Sequence, residues 1–203
     1  MIKIIRFVTA LSLSAQLVAQ VPLTAPAEIV SRPLLNSEHI AQEFGSYGIV
    51  VLESDAGVRV SNLYSLHDET TICRTFAVVR YPDDINAELV LEHRAILSGQ
   101  SIGAVFTQRG WAIEKINRYF GVLPVTDRVA GLMSGIPPQP LAVHIYDLVV
   151  SRKSTSVLYA TIAEVHHPDY LSVTQLEELY GEVAATAAAG NESMLALTRR
   201  KMN

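Results

Sequence analysis

The chain has 203 residues, 49% of them hydrophobic and 18% charged, with a formal net charge of −4. That length suits one domain with a tail, and the apolar share excludes a disordered chain. No basic run is longer than Arg199-Arg200-Lys201, so no nucleic-acid surface is expected. The single cysteine, Cys73, excludes an intrachain disulfide framework and a cysteine-rich zinc site. Its apolar surroundings favour a buried inert thiol over a nucleophile.

Lys3 and Arg6 precede an uncharged, mostly apolar run from Phe7 to Ala19, and no acidic residue occurs before Glu28. Residues 1–20 therefore read as a secretory signal peptide, cleaved after residue 19 or 20, although Leu17 sits where a small residue is expected. The run is too short for a comfortable membrane span. An ordinary first strand or helix and a transit peptide are the competing readings. The expected location is secreted or periplasmic, with no stable membrane span after processing. Residues 21–33, with Pro22, Pro26 and Pro33, read as an extended linker.

Residues 34–44 suit a helix capped by Asn36 or Ser37 and stopped by Gly45. Strands are expected over 47–53, 58–66 and 70–80, separated by turns at Asp55-Ala56-Gly57 and His67-Asp68-Glu69. Asp83 or Asp84 caps a helix running to about Leu97 and ended by Gly99. Ser101 then caps a shorter helix over 102–109. A fourth strand spans 111–122, and a loop with a short helical turn spans 125–140. Strands five and six span 141–152 and 156–167 around a turn at Lys153-Ser154-Thr155. A last helix is expected over 174–188, with Thr174 and Glu177 as a capping box, followed by a frayed polar tail over 191–203. The fold class is α+β: a six-stranded, mainly antiparallel sheet with helices inserted between strands three and four and covering one face. Residues 34–190 form the single domain.

Three stretches carry a family resemblance. They are the hairpin YSLHDETTICRTFAVV, the junction SGQSIGAVF, and the closing hairpin SRKSTSVLYATIAEVHHPDYL. In this order and spacing they resemble the chorismate lyase-like group, which includes lyases and the ligand-sensing domains of certain regulators. The resemblance covers about half the chain. It implies a closed pocket in which an arginine on an early strand holds carboxylates. A glutamate on the last strand then assists loss of pyruvate from chorismate. Planar arginine donors suit a carboxylate in a dry cavity, and a carboxylic acid can protonate a departing enol ether.

Carried over residue by residue, the closing glutamate is Glu164 and the arginine before the turn is Arg152. Ser61 stands where the family has its early-strand arginine. Arg59, two residues away, projects from the same face of the strand and could substitute. Arg74-Thr75 matches an arginine–threonine pair of the family, and Ser101 and Gly103 belong to the matched junction. Arg59, Arg74, Arg152, His166, Ser101 and Gly103 are thus the candidate ligand-binding residues and Glu164 the candidate catalytic acid or base.

The residues support Glu164 independently. Strict alternation puts Leu158, Ala160, Ile162, Glu164 and His166 on one face, where a carboxylate is costly unless it is used or reaches water at the strand end. His166 and His167 point to opposite faces, so even with His144 no metal centre is expected, nor any cofactor. A capping role at the strand end suits them better. His93 with one of the serines lacks a nucleophile elbow. The 98–103 stretch lacks the lysine of a phosphate loop; it is a helix corner or a carboxylate-binding turn. Trp111, Ile113, Asn117 and Tyr119 share a packing face of strand four, and Lys115 and Arg118 point to solvent or reach the pocket mouth.

The expected function is an exported enzyme of lyase type acting on a small anionic or aromatic carboxylate. Chorismate itself is a cytosolic compound, so chorismate turnover is not expected of an exported chain. The alternatives are a non-catalytic binder of a small anionic ligand on the same scaffold, and an interaction module using an edge strand or the last helix. A monomer or weak dimer is expected.

Overall fold

The structure, a computed structural model, describes residues 34–55, 57–183 and 191–203. The expected export segment, the expected linker and the part of the expected last helix from residue 184 to 188 lie outside the described residues. Six antiparallel strands form one sheet: β1 (Gly48–Asp55), β2 (Val58–His67), β3 (Thr70–Arg80), β4 (Ala112–Leu123), β5 (Leu141–Arg152) and β6 (Thr155–His166). Their order across the sheet is β1-β2-β3-β6-β5-β4, which makes β3 and β6 central. The β2–β3 hairpin closes through Asp68 and Glu69 at φ 45° and 67°. That left-handed pair matches the twist of the strands it joins.

The helices inserted between β3 and β4 are α2 (Val90–Leu97) and α3 (Ile102–Gln108). They lie with α1 (Asn36–Phe44) and α5 (Val173–Tyr180) on one face of the sheet. There Ile40, Ile96, Phe106 and Leu176 are fully buried against inward residues such as Ala77, Val79 and Ile162. The opposite face is covered too, by α4 (Asp127–Leu132) and α6 (Asn191–Met202). Val129, Met194 and Met202 pack on Phe76, Val143, Ala163 and Val165.

Helix α6 corrects the expectation of a frayed tail over 191–203. Met194, Thr198 and Met202 recur at a helical spacing and are buried. The segment is polar on average, and the basic cluster Arg199-Arg200-Lys201 sits in its last turn, where positive charge suits the helix terminus. Lys201 and Arg128 both pair with Glu53 of β1, and together they hold that carboxyl below its ordinary range.

Other boundaries shift for local reasons. Asn36 does not cap α1; the Glu38 carboxylate accepts from Leu35 N at 2.9 Å, and Asn36 turns inward. The second helix begins later than Asp83 or Asp84, with a 3-10 turn over Ala87–Leu89 whose start is capped by Asn86. The capping box of α5 is Ser172 with Gln175, not Thr174 with Glu177, and the helix ends at Gly181 (φ 75°). Among the described residues no helix is long and apolar enough to cross a membrane.

Candidate functional site

A cavity of about 70 Å³ lies between the sheet and the α1–α3 corner. A single water needs roughly 10–15 Å³ on this measure, so the space admits several waters or one small organic molecule. Its floor is apolar, built from Ala77 and Val79 of β3, Ile162 of β6 and Leu148 of β5. Charged side chains enter from strands on both sides of this floor: Arg59 from β2 and Lys115 from β4, with Glu164 on central β6.

Arg59 is 1% exposed. Its Nε donates to Ser61 Oγ at 2.9 Å, and its Nη1 donates to the carbonyls of Ile96 and Gln100, both at 2.9 Å. These partners are neutral, and among the described residues Nη2 has no hydrogen-bond partner. A buried permanent cation held only by neutral oxygens is unfavourable by itself and favours an anion beside it. Arg59 and Ser61 line the cavity together, as expected of residues two apart on a strand.

Glu164 is 4% exposed. Tyr146 donates its hydroxyl to Oε1 at 3.1 Å, whereas Oε2 has no hydrogen-bond partner among the described residues. The nearest cation is Lys115 Nζ, 3.9 Å from Oε2 and likewise without a hydrogen bond. The rings of Tyr146 and Tyr180 flank that nitrogen, with centroids at 4.5 and 4.7 Å. Burial, with Glu164 beside it, holds the Tyr146 phenol well above its ordinary range, so it remains a proton donor. Burial also raises Tyr47, and the neighbouring Ser101 and Arg59 oppose that rise.

Of the sequence-derived site residues, Glu164, Arg59, Ser101 and Gly103 meet at this cavity. Gly103 is there for packing: a Cβ at this position would lie 2.4 Å from Leu35 Cδ1, so a larger residue would displace that wall. The other three stand elsewhere. Arg74 is the extra residue of a bulge in the β2–β3 pairing. Its Nε donates to Ser65 and its guanidinium stacks over Phe44 at 3.7 Å, outside the cavity wall. Arg152 lies eight positions along β5 from His144, the cross-strand neighbour of Glu164. That separation is about 25 Å of strand. It stacks over Trp111 at 4.1 Å and cannot hold a ligand beside Glu164.

His166 shares the face of Glu164 but not the cavity wall. Thr75 Oγ1 meets its Nδ1 at 3.1 Å, Asn36 donates to the same hydroxyl, and Tyr170 donates to Asn36. Asn36 lines the cavity, so this buried chain ends there. Burial pulls the His166 pKa down to about 4, with Glu164 opposing, and holds His144 well below its ordinary value. Leu158 does not share that face. A bulge opposite Leu148 and Val149 turns Tyr159 inward and leaves Leu158 exposed. His167 caps the turn after β6, its Nδ1 accepting from Asp169 N at 3.0 Å. His93 meets the Tyr159 hydroxyl at 3.0 Å. Cys73 is buried, and desolvation pushes its thiol up to about 12.

Lys115, expected to point to solvent or reach the pocket mouth, lines the cavity with its side chain buried. Alternation itself places it with Ile113 and Asn117, on the inward side of β4. A lysine on that side was the available signal. Tyr146 and Tyr47 carried no such signal, because buried tyrosines are ordinary core residues.

No protein-family model and no curated relative matches this chain.

Proposed function

We propose that the domain takes a small anionic organic ligand into this cavity and acts on it as an acid–base enzyme of carbon–oxygen lyase type. One observation carries the reading: Arg59, buried with only neutral partners, shares a cavity with a carboxylate whose Oε2 has no hydrogen bond among the described residues. Arg59 meets the ligand's carboxylate, the apolar floor takes its hydrocarbon body, and Glu164 gives or takes the proton at the reacting atom. The resemblance to the chorismate lyase-like group supports the same assignment for Glu164 and Arg59. The basic-then-apolar pattern of residues 1–20 supports export, and export separates the protein from chorismate.

The test begins with chorismate, following 4-hydroxybenzoate; no turnover at ordinary enzyme rates is expected. Small molecules released from the purified protein are then identified by mass spectrometry and assayed as substrates. With any substrate so found, Glu164→Gln is expected to lower turnover at least tenfold. Unchanged turnover would remove Glu164 from the chemistry. Retention of the ligand without turnover would favour the non-catalytic binder, a reading supported by the cavity's fit to an anion whether or not chemistry follows.

A further inference from the structure

Lys115 lines the cavity with its side chain 7% exposed. An ammonium group has three donors, and buried donors are as a rule paired. Among the described residues its Nζ has no hydrogen-bond partner. The Glu164 Oε2 facing it is in the same condition, and 3.9 Å separates the two. That gap is too wide for a hydrogen bond and suits a reacting atom or one water between them. Tyr146 occupies the other carboxylate oxygen, which leaves Oε2 for proton transfer. The Tyr146 and Tyr180 rings shield Nζ from water.

We propose that Lys115 is a nucleophile that forms a Schiff base with the carbonyl carbon of a small oxo acid whose carboxylate Arg59 holds. This rests on reading the cavity as the functional site. Moving one proton from Nζ to Oε2 leaves an amine and a carboxylic acid with the net charge of the pair unchanged. The amine lone pair then attacks the carbonyl carbon. The C–O π pair moves to oxygen, which takes the Glu164 proton. Glu164 next removes a proton from the nitrogen of this carbinolamine and returns it to the hydroxyl, which leaves as water. The nitrogen lone pair closes the C=N bond. The products are an iminium on Lys115, one water and the Glu164 carboxylate. Buried lysines activated in this way are an established route to covalent catalysis on carbonyl substrates. The charge left on Glu164 sits beside the iminium that it must stabilise.

The purified chain is incubated separately with pyruvate, acetoacetate and 4-oxopentanoate, which space carbonyl and carboxylate differently, in the presence of sodium cyanoborohydride. Intact mass is expected to show one reduced adduct per chain with at least one of the three. Peptide mapping of the wild-type adduct should place it on Lys115. Lys115→Arg should abolish it, and Arg59→Met should lower its yield at least tenfold. No adduct with any of the three acids, or an adduct mapped to another lysine, overturns the proposal. Binding of 4-hydroxybenzoate, measured in parallel, separates the two failures. Binding without any adduct removes only the covalent role of Lys115, whereas loss of both removes the site.

Discussion

Towards α4 and α6, the central strands present Phe76, Val78, Ala163 and Val165, and methionine and aliphatic side chains interlock with them. From the opposite side of the same sheet project Arg59, Lys115, His144, Glu164 and His166. Each of these has a buried polar atom without a hydrogen-bond partner among the described residues. Strands with such similar alternation thus serve two ends. One face closes the fold through apolar burial. The other carries polar groups whose desolvation lowers stability and whose unused hydrogen-bonding capacity suits a ligand.

The contrast can be broken by substitution. Phe76→Ala removes a fully buried ring from the α4–α6 face and is expected to cost about 3–5 kcal/mol of unfolding free energy, read by urea denaturation. Ligand binding by the fraction that stays folded should not change. A loss of affinity without loss of stability would show that the faces are not separable in this way.

The next effect is on pH dependence. The His166 pKa is lowered from 6.5 to about 4, so this residue folds neutral while the unfolded chain takes up a proton below pH 6.5. Its contribution is fully present above pH 6.5 and is lost as pH falls towards 4, by about 3 kcal/mol at the limit. His144, His93 and His167 shift in the same direction and add to the slope. Denaturation at pH 7 and pH 5 should show the loss, and His166→Gln should flatten it. An unchanged slope in that variant would place His166 in a more solvated setting.

The smallest of the three effects separates pairing from packing. Lys115→Met leaves Glu164 buried without its nearest cation and is expected to destabilise by at least about 1 kcal/mol. Adding Glu164→Gln should restore wild-type stability or exceed it, because a neutral pair of similar volume needs no countercharge. A double variant less stable than either single one would mean that the charges hold the fold rather than serve the site.

Much of this was legible in the sequence, and each failure has its own physical cause. The strands and their hairpins follow from alternation and turn residues, and Glu164 stood out as a carboxylate on an apolar face. Strict alternation cannot foresee bulges. One such bulge turned Tyr159 inward and Leu158 out, and another left Arg74 outside the cavity wall. Arg152 failed for a different reason: a hairpin match fixes position along the chain, not reach, and it lies at the wrong end of β5. Lys115 was left between solvent and the pocket mouth because lysine usually points to water, although its own strand register put it inside. Helix α6 was hidden by its charge, since a few buried methionines and leucines suffice to dock a helix whose remaining residues face water.

Calorimetric titration with 4-hydroxybenzoate and with its neutral amide, on wild type and on Arg59→Met, tests most directly whether the polar face holds an anion. The expected result is that wild type binds the acid at least tenfold more tightly than the amide and that Arg59→Met abolishes the difference. Equal binding of acid and amide, no binding of either, or a preference that survives the loss of Arg59 would contradict an anion site built around that residue.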